Sequence, residues 1–375
     1  MTTDFRKLAA PAVLGLTPYV PGKPLSELER EYGIADSVKL ASNENPLGPS
    51  PKAIAAAAAA LGSVRLYPDG NGHELRQALA RRHGVAPECI TLGNGSNDVL
   101  VMLAEAFLTP ATEAVYSEYC FAVYPLAVQA TGAVARVARA RRRDDEMPLG
   151  HDVQALRAAV NDRTRIVFIA NPNNPTGTWL GTAELKRFIA SLPDTTLVVV
   201  DEAYCDYASG VDCPDTSTWL VEHANLVVVR TFSKAYGLAG LRVGYGLSHA
   251  EVAELLNRVR QPFNVNLVSL AAATAALEDR AHVTAVAALN REGRERLASG
   301  CRELGVTTLP SATNFLLIDV GRPAGPVYEA MLRAGVIVRP MAGYGLPNCL
   351  RITTGTAAQE ERCLKALAQA LRGAA

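Results

Sequence analysis

The sequence has no uncharged apolar run of the roughly 18 or more residues that a membrane-spanning helix needs. The alanine-rich stretch 53–61 comes nearest and is too short. Charge of one sign is also missing: 37 Lys and Arg balance 37 Asp and Glu. No bulk field then favours nucleic acid or a membrane surface. The densest basic cluster, Arg139 to Arg143, is followed at once by Asp144, Asp145 and Glu146, which reads as a solvated loop. The seven cysteines are odd in number, scattered and without a CxxC pair. That spacing argues against a disulfide framework or a zinc site and fits reduced thiols in the cytoplasm. The six histidines are dispersed with no ligand-like spacing, so no metal is expected. The N-terminus, with Asp4, Arg6 and Lys7, lacks the apolar core of a signal peptide. No internal repeat is seen.

What the chain does have is apolar content of 49% against 20% charged, the balance of a globular protein. Its 375 residues exceed one typical core, so two domains are expected. Residues 1–45 are proline-rich and read as an arm with one short helix near 26–32, packing near the small domain and the active site. A helix at 53–61 follows by propensity. Short apolar runs at 90–92, 114–116, 165–170, 196–200 and 226–230 alternate with amphipathic stretches at 96–108, 152–160 and 182–191. Near-continuous apolar strands between helices predict an α/β fold, a mostly parallel doubly wound sheet buried on both faces. That large domain is expected to span 46–265. The rest, 266–375, reads as a smaller α+β domain. Its expected helices lie at 267–277, 290–304, 326–334 and the C-terminus, with strands at 315–319, 336–339 and 349–353.

Ligands of such a sheet bind beyond the carboxyl ends of its strands. Two residues there stand out. Asp201 ends the run 197–200, and Lys234 closes Thr-Phe-Ser-Lys just past 226–230. A lysine that can join an aldehyde, and a carboxylate that can keep a ring nitrogen protonated, are what a pyridoxal phosphate enzyme needs. A phosphate site is also present in outline. Gly93, Asn94, Gly95 and Ser96 link a strand to a helix, whose free amides favour a dianion. Thr231, Ser233 and Arg242 can add donors. Asn174, in an Asn-Pro-rich turn after 165–170, and Tyr204, three residues past Asp201, can reach a phenolic oxygen. Each has a bland reading as well: a turn residue, a half-buried tyrosine.

The segments NPNNPTG (171–177), DEAY (201–204) and TFSKAYGLAGLRVGY (231–245) resemble those of the fold-type I, class I/II aminotransferases. LASNENPLGPSP (40–51), LYPDGNGHELRQAL (66–79), QPFNVN (261–266), SATNFLL (311–317) and GYGLPNCLRITTGT (343–356) look like the histidinol-phosphate branch of that family. The resemblance implies pyridoxal 5'-phosphate as cofactor and the following roles. Lys234 would bind the cofactor covalently and carry the proton, with Asp201 on the pyridine nitrogen. Asn174 and Tyr204 would bond the phenolic oxygen, and Tyr119 would stack on the ring. Ser96, Asn97, Thr231, Ser233 and Arg242 would hold the phosphate. Tyr67 would reach the phosphate in a neighbouring subunit, which implies a homodimer. Arg351 would bind the carboxylate of glutamate or the phosphate of histidinol phosphate, and Arg339 would be a second anion ligand. Tyr19, Asn43 and Asn45 would close the site from the arm.

Arg351 also makes sense from its chemistry, because a planar fork of donors serves carboxylate and phosphate alike. A plain strand arginine is the bland alternative. The expected reaction is ping-pong transamination between glutamate and imidazole-acetol phosphate in histidine biosynthesis. An aromatic amino acid aminotransferase and a threonine-phosphate decarboxylase would share the same core residues.

Overall fold

The computed structural model describes residues 3–19 and 21–373. Its largest sheet has seven strands: β1 (Ile90–Gly93), β2 (Glu113–Ser117), β3 (Val134–Ala138), β4 (Thr164–Ala170), β5 (Leu197–Asp201), β6 (Leu226–Thr231) and β7 (Gly244–Leu247). They lie in the order β1-β7-β6-β5-β4-β2-β3. All neighbours are parallel except β7, which runs antiparallel to both β1 and β6. The apolar runs of the central strands divide their residues between two cores. Val167, Ile169, Val198, Val200 and Val228 face one, while Ile166, Phe168, Val199, Val227 and Val229 face the other. Burial on both faces is why these strands read as continuous apolar stretches.

Strand β7, Gly-Tyr-Gly-Leu, carries little strand signal, since glycine disfavours strands. It belongs there for a steric reason. A Cβ at Gly244 would run into the Ser96 amide, and one at Gly246 would meet Val99 at 2.9 Å. Two glycines thus let the helix Ser96–Phe107 sit directly on the sheet.

A second sheet comprises β8 (Thr307–Thr308), β9 (Phe315–Asp319), β10 (Arg339–Pro340) and β11 (Cys349–Thr353) in the antiparallel order β10-β11-β9-β8. Its core includes Leu316, Ile318, Leu350 and Ile352, with Val327, Met331 and Leu367 from the covering helices Ala324–Arg333 and Ala357–Gly373. The single strand expected at 336–339 is in fact two: Val336–Ile337 pairs in parallel with Val38–Lys39, and Arg339–Pro340 pairs with β11. The arm docks here, with Leu28 and Ala41 packed on Leu332 and Ile337.

The helix Leu267–Leu277, expected with the smaller sheet, packs on Pro51–Leu61 and His73–His83. Its Ala272, Ala273 and Ala276 enter the core of the large sheet. The next helix, Arg280–Glu303, starts ahead of the expected 290 and is capped by Asp279, whose side chain accepts from the His282 amide. Its first half mixes strong helix formers, Ala281, Ala285, Ala287, Ala288 and Leu289, with β-branched Val283, Thr284 and Val286. Val283 and Val286 belong to the large-sheet core, and Leu297 and Cys301 to the small-sheet core. The change of core comes inside this helix. Among the described residues, no helix is long and apolar enough to cross a membrane.

Candidate active site

Register carries the site to one edge. Ala170 pairs with Asp201 and Asp201 with Val229, so β4, β5 and β6 end side by side. A cleft of about 300 Å³ opens beyond them, and Ser96, Asn97, Asn174, Asp201, Tyr204, Thr231, Ser233, Lys234, Arg242, Arg339 and Arg351 all line it.

Lys234 is half-buried and hangs from the end of β6, where fully buried Phe232 anchors the chain. Its Nζ lies 3.4 Å from the Ser42 carbonyl oxygen and 5.7 Å from the centre of the Tyr204 ring. Burial, and then the nearby Arg351 guanidinium, lowers its pKa to about 8. Asp201, the last residue of β5, is buried. Its Oδ2 accepts from the Tyr124 hydroxyl at 2.9 Å and its Oδ1 from the Ala203 amide at 3.2 Å. Burial outweighs these two donors and pushes the carboxyl up to about 6. Amine and carboxyl are both held near the point of changing charge, which is where proton-handling groups work at neutral pH.

The inner corner is a cradle of donors. Gly95, at φ 79°, turns the chain into the helix Ser96–Phe107, whose first residues, Ser96 and Asn97, line the cleft. The Arg242 side chain lies so close over Gly95 that a Cβ there would collide with the guanidinium. Arg242 Nη1 donates to Ser233 Oγ at 3.2 Å, and the Ser233 amide donates to Thr231 Oγ1 at 3.1 Å. Two hydroxyls, a guanidinium and a helix N-terminus around one space fit a phosphate dianion.

At the outer end, Arg351 is buried. Its Nη1 donates to Asn174 Oδ1 at 2.6 Å and its Nη2 to the Ala41 carbonyl at 3.1 Å, while its plane lies 5.0 Å from the Phe315 ring. Its Nε is buried with no partner among the described residues. A buried guanidinium nitrogen without a partner is costly unless a ligand takes it up. Arg339 pairs in register with Arg351 across β10 and β11, so both point to the same face. Tyr19 of the arm sits over Arg339 at 5.5 Å. The Asn43 amide donates to the Tyr204 hydroxyl at 2.8 Å, and burial pushes that phenol up to about 12. Tyr19, Gly22, Arg339 and Tyr344 also wall a larger cavity of about 940 Å³ beneath the arm.

Two residues expected at this cleft, Tyr119 and Asn45, do not line it. Tyr119 packs against Leu149, Leu309, Leu317 and Met341, and its carbonyl accepts from Asn173. Phe121, two residues on, lines the cleft instead. Asn45 is not a wall: its Nδ2 bridges the carbonyls of Gly48 and Ala235, both at 3.0 Å, bracing the loop beside Lys234. Tyr67 is 82% exposed, stacked on Phe263 at 4.7 Å and away from this cleft. Sequence reasoning passed over Phe121, Tyr124 and Tyr344. The spacing of Phe121 and Tyr124, three apart at a helix start, is the signal that could have exposed the first two.

The sequence profile of the family "Aminotransferase class I and II" matches residues 35–369. The chain is 56% identical to "Histidinol-phosphate aminotransferase 2" of Pseudomonas fluorescens over 373 residues, covering 99% of each. It is 56% identical to the protein of the same name in Methylococcus capsulatus, covering 97% of this chain and 98% of that one. Among solved structures, the histidinol-phosphate aminotransferase of Sinorhizobium meliloti in complex with pyridoxal-5'-phosphate superposes with a TM-score of 0.88 at 31% identity, covering 98% of each chain. A sheet edge that gathers lysine, aspartate and a phosphate cradle, and a profile match over nearly the whole length, lead to one conclusion: the chain belongs to the class I and II aminotransferases.

Proposed function

We propose that this chain moves an amino group from L-glutamate to imidazole-acetol phosphate, giving 2-oxoglutarate and L-histidinol phosphate in histidine biosynthesis. The observation that carries the reading is the polarity of the cleft: Lys234 and Asp201 at one end, Arg351 with its unpartnered Nε and Arg339 at the other. That arrangement suits substrates with an amine on one carbon and an anion at the far end. Glutamate and histidinol phosphate share this layout. Relatives named for histidinol phosphate over 97–99% of this chain favour the phosphate ester as the second anion.

Pyridoxal phosphate, bound in the cleft, supplies an aldehyde that takes up the amino group and a ring that spreads the charge left on the substrate carbon. Lys234 would hold the cofactor and would move the proton at the substrate Cα. Asp201 holds a proton on the ring nitrogen. Tyr204 and Asn174 bond the phenolic oxygen, and Arg351 takes the carbonyl end of Asn174, which leaves its amide as the donor. Ser96, Asn97, Thr231, Ser233 and Arg242 hold the phosphate. Phe121 covers the ring face assigned above to Tyr119. Arg351 and Arg339 bind the distal anion, and the arm closes over it through Tyr19.

The working form is a cytoplasmic homodimer in which Tyr67 enters the neighbouring site. Exposed Leu47, Ile54, Leu61, Val64 and Leu66, close to Tyr67 in the chain, support a subunit interface.

The test is to load the protein with cofactor, add one amine at a time, and follow by absorbance its conversion to the aminated form. Rapid conversion by L-histidinol phosphate and L-glutamate, with little by phenylalanine, is expected. Equal or faster conversion by phenylalanine makes it an aromatic aminotransferase, and carbon dioxide released from threonine phosphate makes it a decarboxylase.

A further inference from the structure

Asp201 does not stand alone at the end of β5. Tyr124, in the first turn of the helix Val123–Ala130, is fully buried. Its ring stacks on Phe168 at 4.9 Å and 12°, and Phe121 meets its edge at 5.9 Å and 89°. The ring packs between these two neighbours, and its hydroxyl ends 2.9 Å from Asp201 Oδ2. Burial and the adjacent carboxylate raise the Tyr124 phenol well above its ordinary range, so the phenol keeps its proton and acts as donor. Tyr124 belongs neither to the cleft wall nor to the sequence motifs quoted above.

A buried carboxylate is driven toward its neutral form by desolvation, and a donor to the charged form opposes that drive. Among the described residues two donors act, the Tyr124 hydroxyl and the Ala203 amide. The other titratable groups near Asp201 and Tyr124 do not replace them. Glu202 is committed to Arg230 at 2.6 Å. The Tyr204 phenol and the Cys120 thiol are both pushed up to about 12 and stay neutral. Lys234 favours the charged form of Asp201 only while it is protonated.

We propose that Tyr124 is a positioning residue for this reaction: its hydroxyl holds Asp201 fixed and ionised, so that Asp201 can keep a cofactor ring nitrogen protonated. The inference rests on the assignment of Asp201 as partner of that nitrogen. Tyr124→Phe removes one oxygen and keeps both ring contacts.

Cofactor-free wild type, Tyr124→Phe and a packing control, Phe168→Leu, are titrated with pyridoxal phosphate from mildly acid to mildly alkaline pH. In parallel, 15N-labelled cofactor reports protonation of the ring nitrogen by NMR. Tyr124→Phe is expected to bind cofactor roughly 10- to 100-fold more weakly near neutral pH. Its binding should set in at higher pH than in wild type, and its ring nitrogen should lose its proton at lower pH. Phe168→Leu should lower the melting temperature and leave both pH midpoints in place. Identical affinity, midpoints and 15N shifts in Tyr124→Phe and wild type overturn the proposal. So does an equal displacement in Phe168→Leu, which would make the effect one of packing. If Tyr124→Phe does not fold, fluorotyrosine incorporated in place of tyrosine, a stronger donor, must move the binding midpoint to lower pH; an unmoved midpoint overturns the proposal equally. A wild-type ring nitrogen that is already unprotonated would instead defeat the assignment of Asp201 itself.

Discussion

Arg351 Nη1 donates to Asn174 Oδ1 at 2.6 Å, across 177 positions of sequence. One residue sits in β11 of the small sheet and the other in the turn after β4 of the large one, so the contact ties the two sheets at the mouth of the cleft. It also orients both groups, since the guanidinium is held flat by Phe315 and by the Ala41 carbonyl. What is left open is Nε, the one guanidinium nitrogen without a partner among the described residues.

From this it follows that Arg351→Ala lowers kcat/KM for glutamate and for histidinol phosphate by about 30- to 1000-fold, the size of a lost charged contact of about 2–4 kcal/mol. Cofactor affinity should change less than about threefold, because Arg351 lies at the far end from the phosphate cradle. Arg351→Lys should recover little, since an ammonium cannot span Asn174, Ala41 and a ligand together. Steady-state kinetics and a cofactor titration on the same preparations check this; unchanged glutamate kinetics defeat it.

Much of this site could be read from the sequence, for a physical reason. Where an apolar strand ends in a polar residue, the parallel sheet forces that residue to its carboxyl edge, and Asp201, Asn174 and Lys234 all obey that rule. What could not be read depends on choices made in three dimensions. Tyr119 and Phe121 flank Cys120 in one loop, and only the packed fold decides which ring faces the cleft. The helix Leu267–Leu277 is apolar on every side, so its sequence cannot say which core it joins. The glycines of β7 look like a turn until the helix above them is in view. Thus Phe121→Ala should weaken cofactor binding by about tenfold, the loss of one stacked ring, while Tyr119→Phe leaves it within about twofold. Equilibrium binding of pyridoxal phosphate to the two cofactor-free variants decides between the rings.

Lys234 should react as an amine of low basicity. Its pKa is lowered from the ordinary 10.5 to about 8, so the neutral, nucleophilic form takes over at lower pH than in a free lysine. Covalent capture of pyridoxal phosphate, fixed with borohydride and read by intact mass, should be half-maximal near pH 8 and level off above it. Without Arg351, the second cause of the shift, the plateau should move to higher pH. A capture rate that keeps rising toward pH 10.5 in wild type would contradict the assignment.

Gly95 tests the phosphate cradle. Its φ of 79° disfavours any side chain, and a Cβ would displace the Arg242 guanidinium. Gly95→Ala is expected to cost about 1–3 kcal/mol in cofactor binding, roughly 10- to 100-fold in affinity, with a smaller loss in the stability of the cofactor-free protein. If melting temperature falls while cofactor affinity holds, the loop is structural only and the cradle lies elsewhere.

Behind Asp201, on the opposite face of the sheet, Arg230 and Glu202 form a buried ion pair. Arg230 Nε and Nη2 donate to Glu202 Oε2 at 2.9 and 2.6 Å, and Asp215 Oδ1 accepts from Nη2 at 2.5 Å. Glu202 Oε1 accepts from the amide and hydroxyl of Thr216. Strand alternation explains the arrangement: Asp201 and Thr231 face the cleft, so their neighbours Glu202 and Arg230 must face away, and only pairing makes two charges tolerable there. Arg230→Met leaves Glu202 buried without its counter-ion and should destabilise the protein by about 3–5 kcal/mol in urea unfolding. The deficit should shrink as pH falls, because a protonated Glu202 no longer needs a cation. Arg230→Met combined with Glu202→Gln should recover a large part of the loss. A double variant as unstable as the single one would show that the pair acts through packing rather than charge.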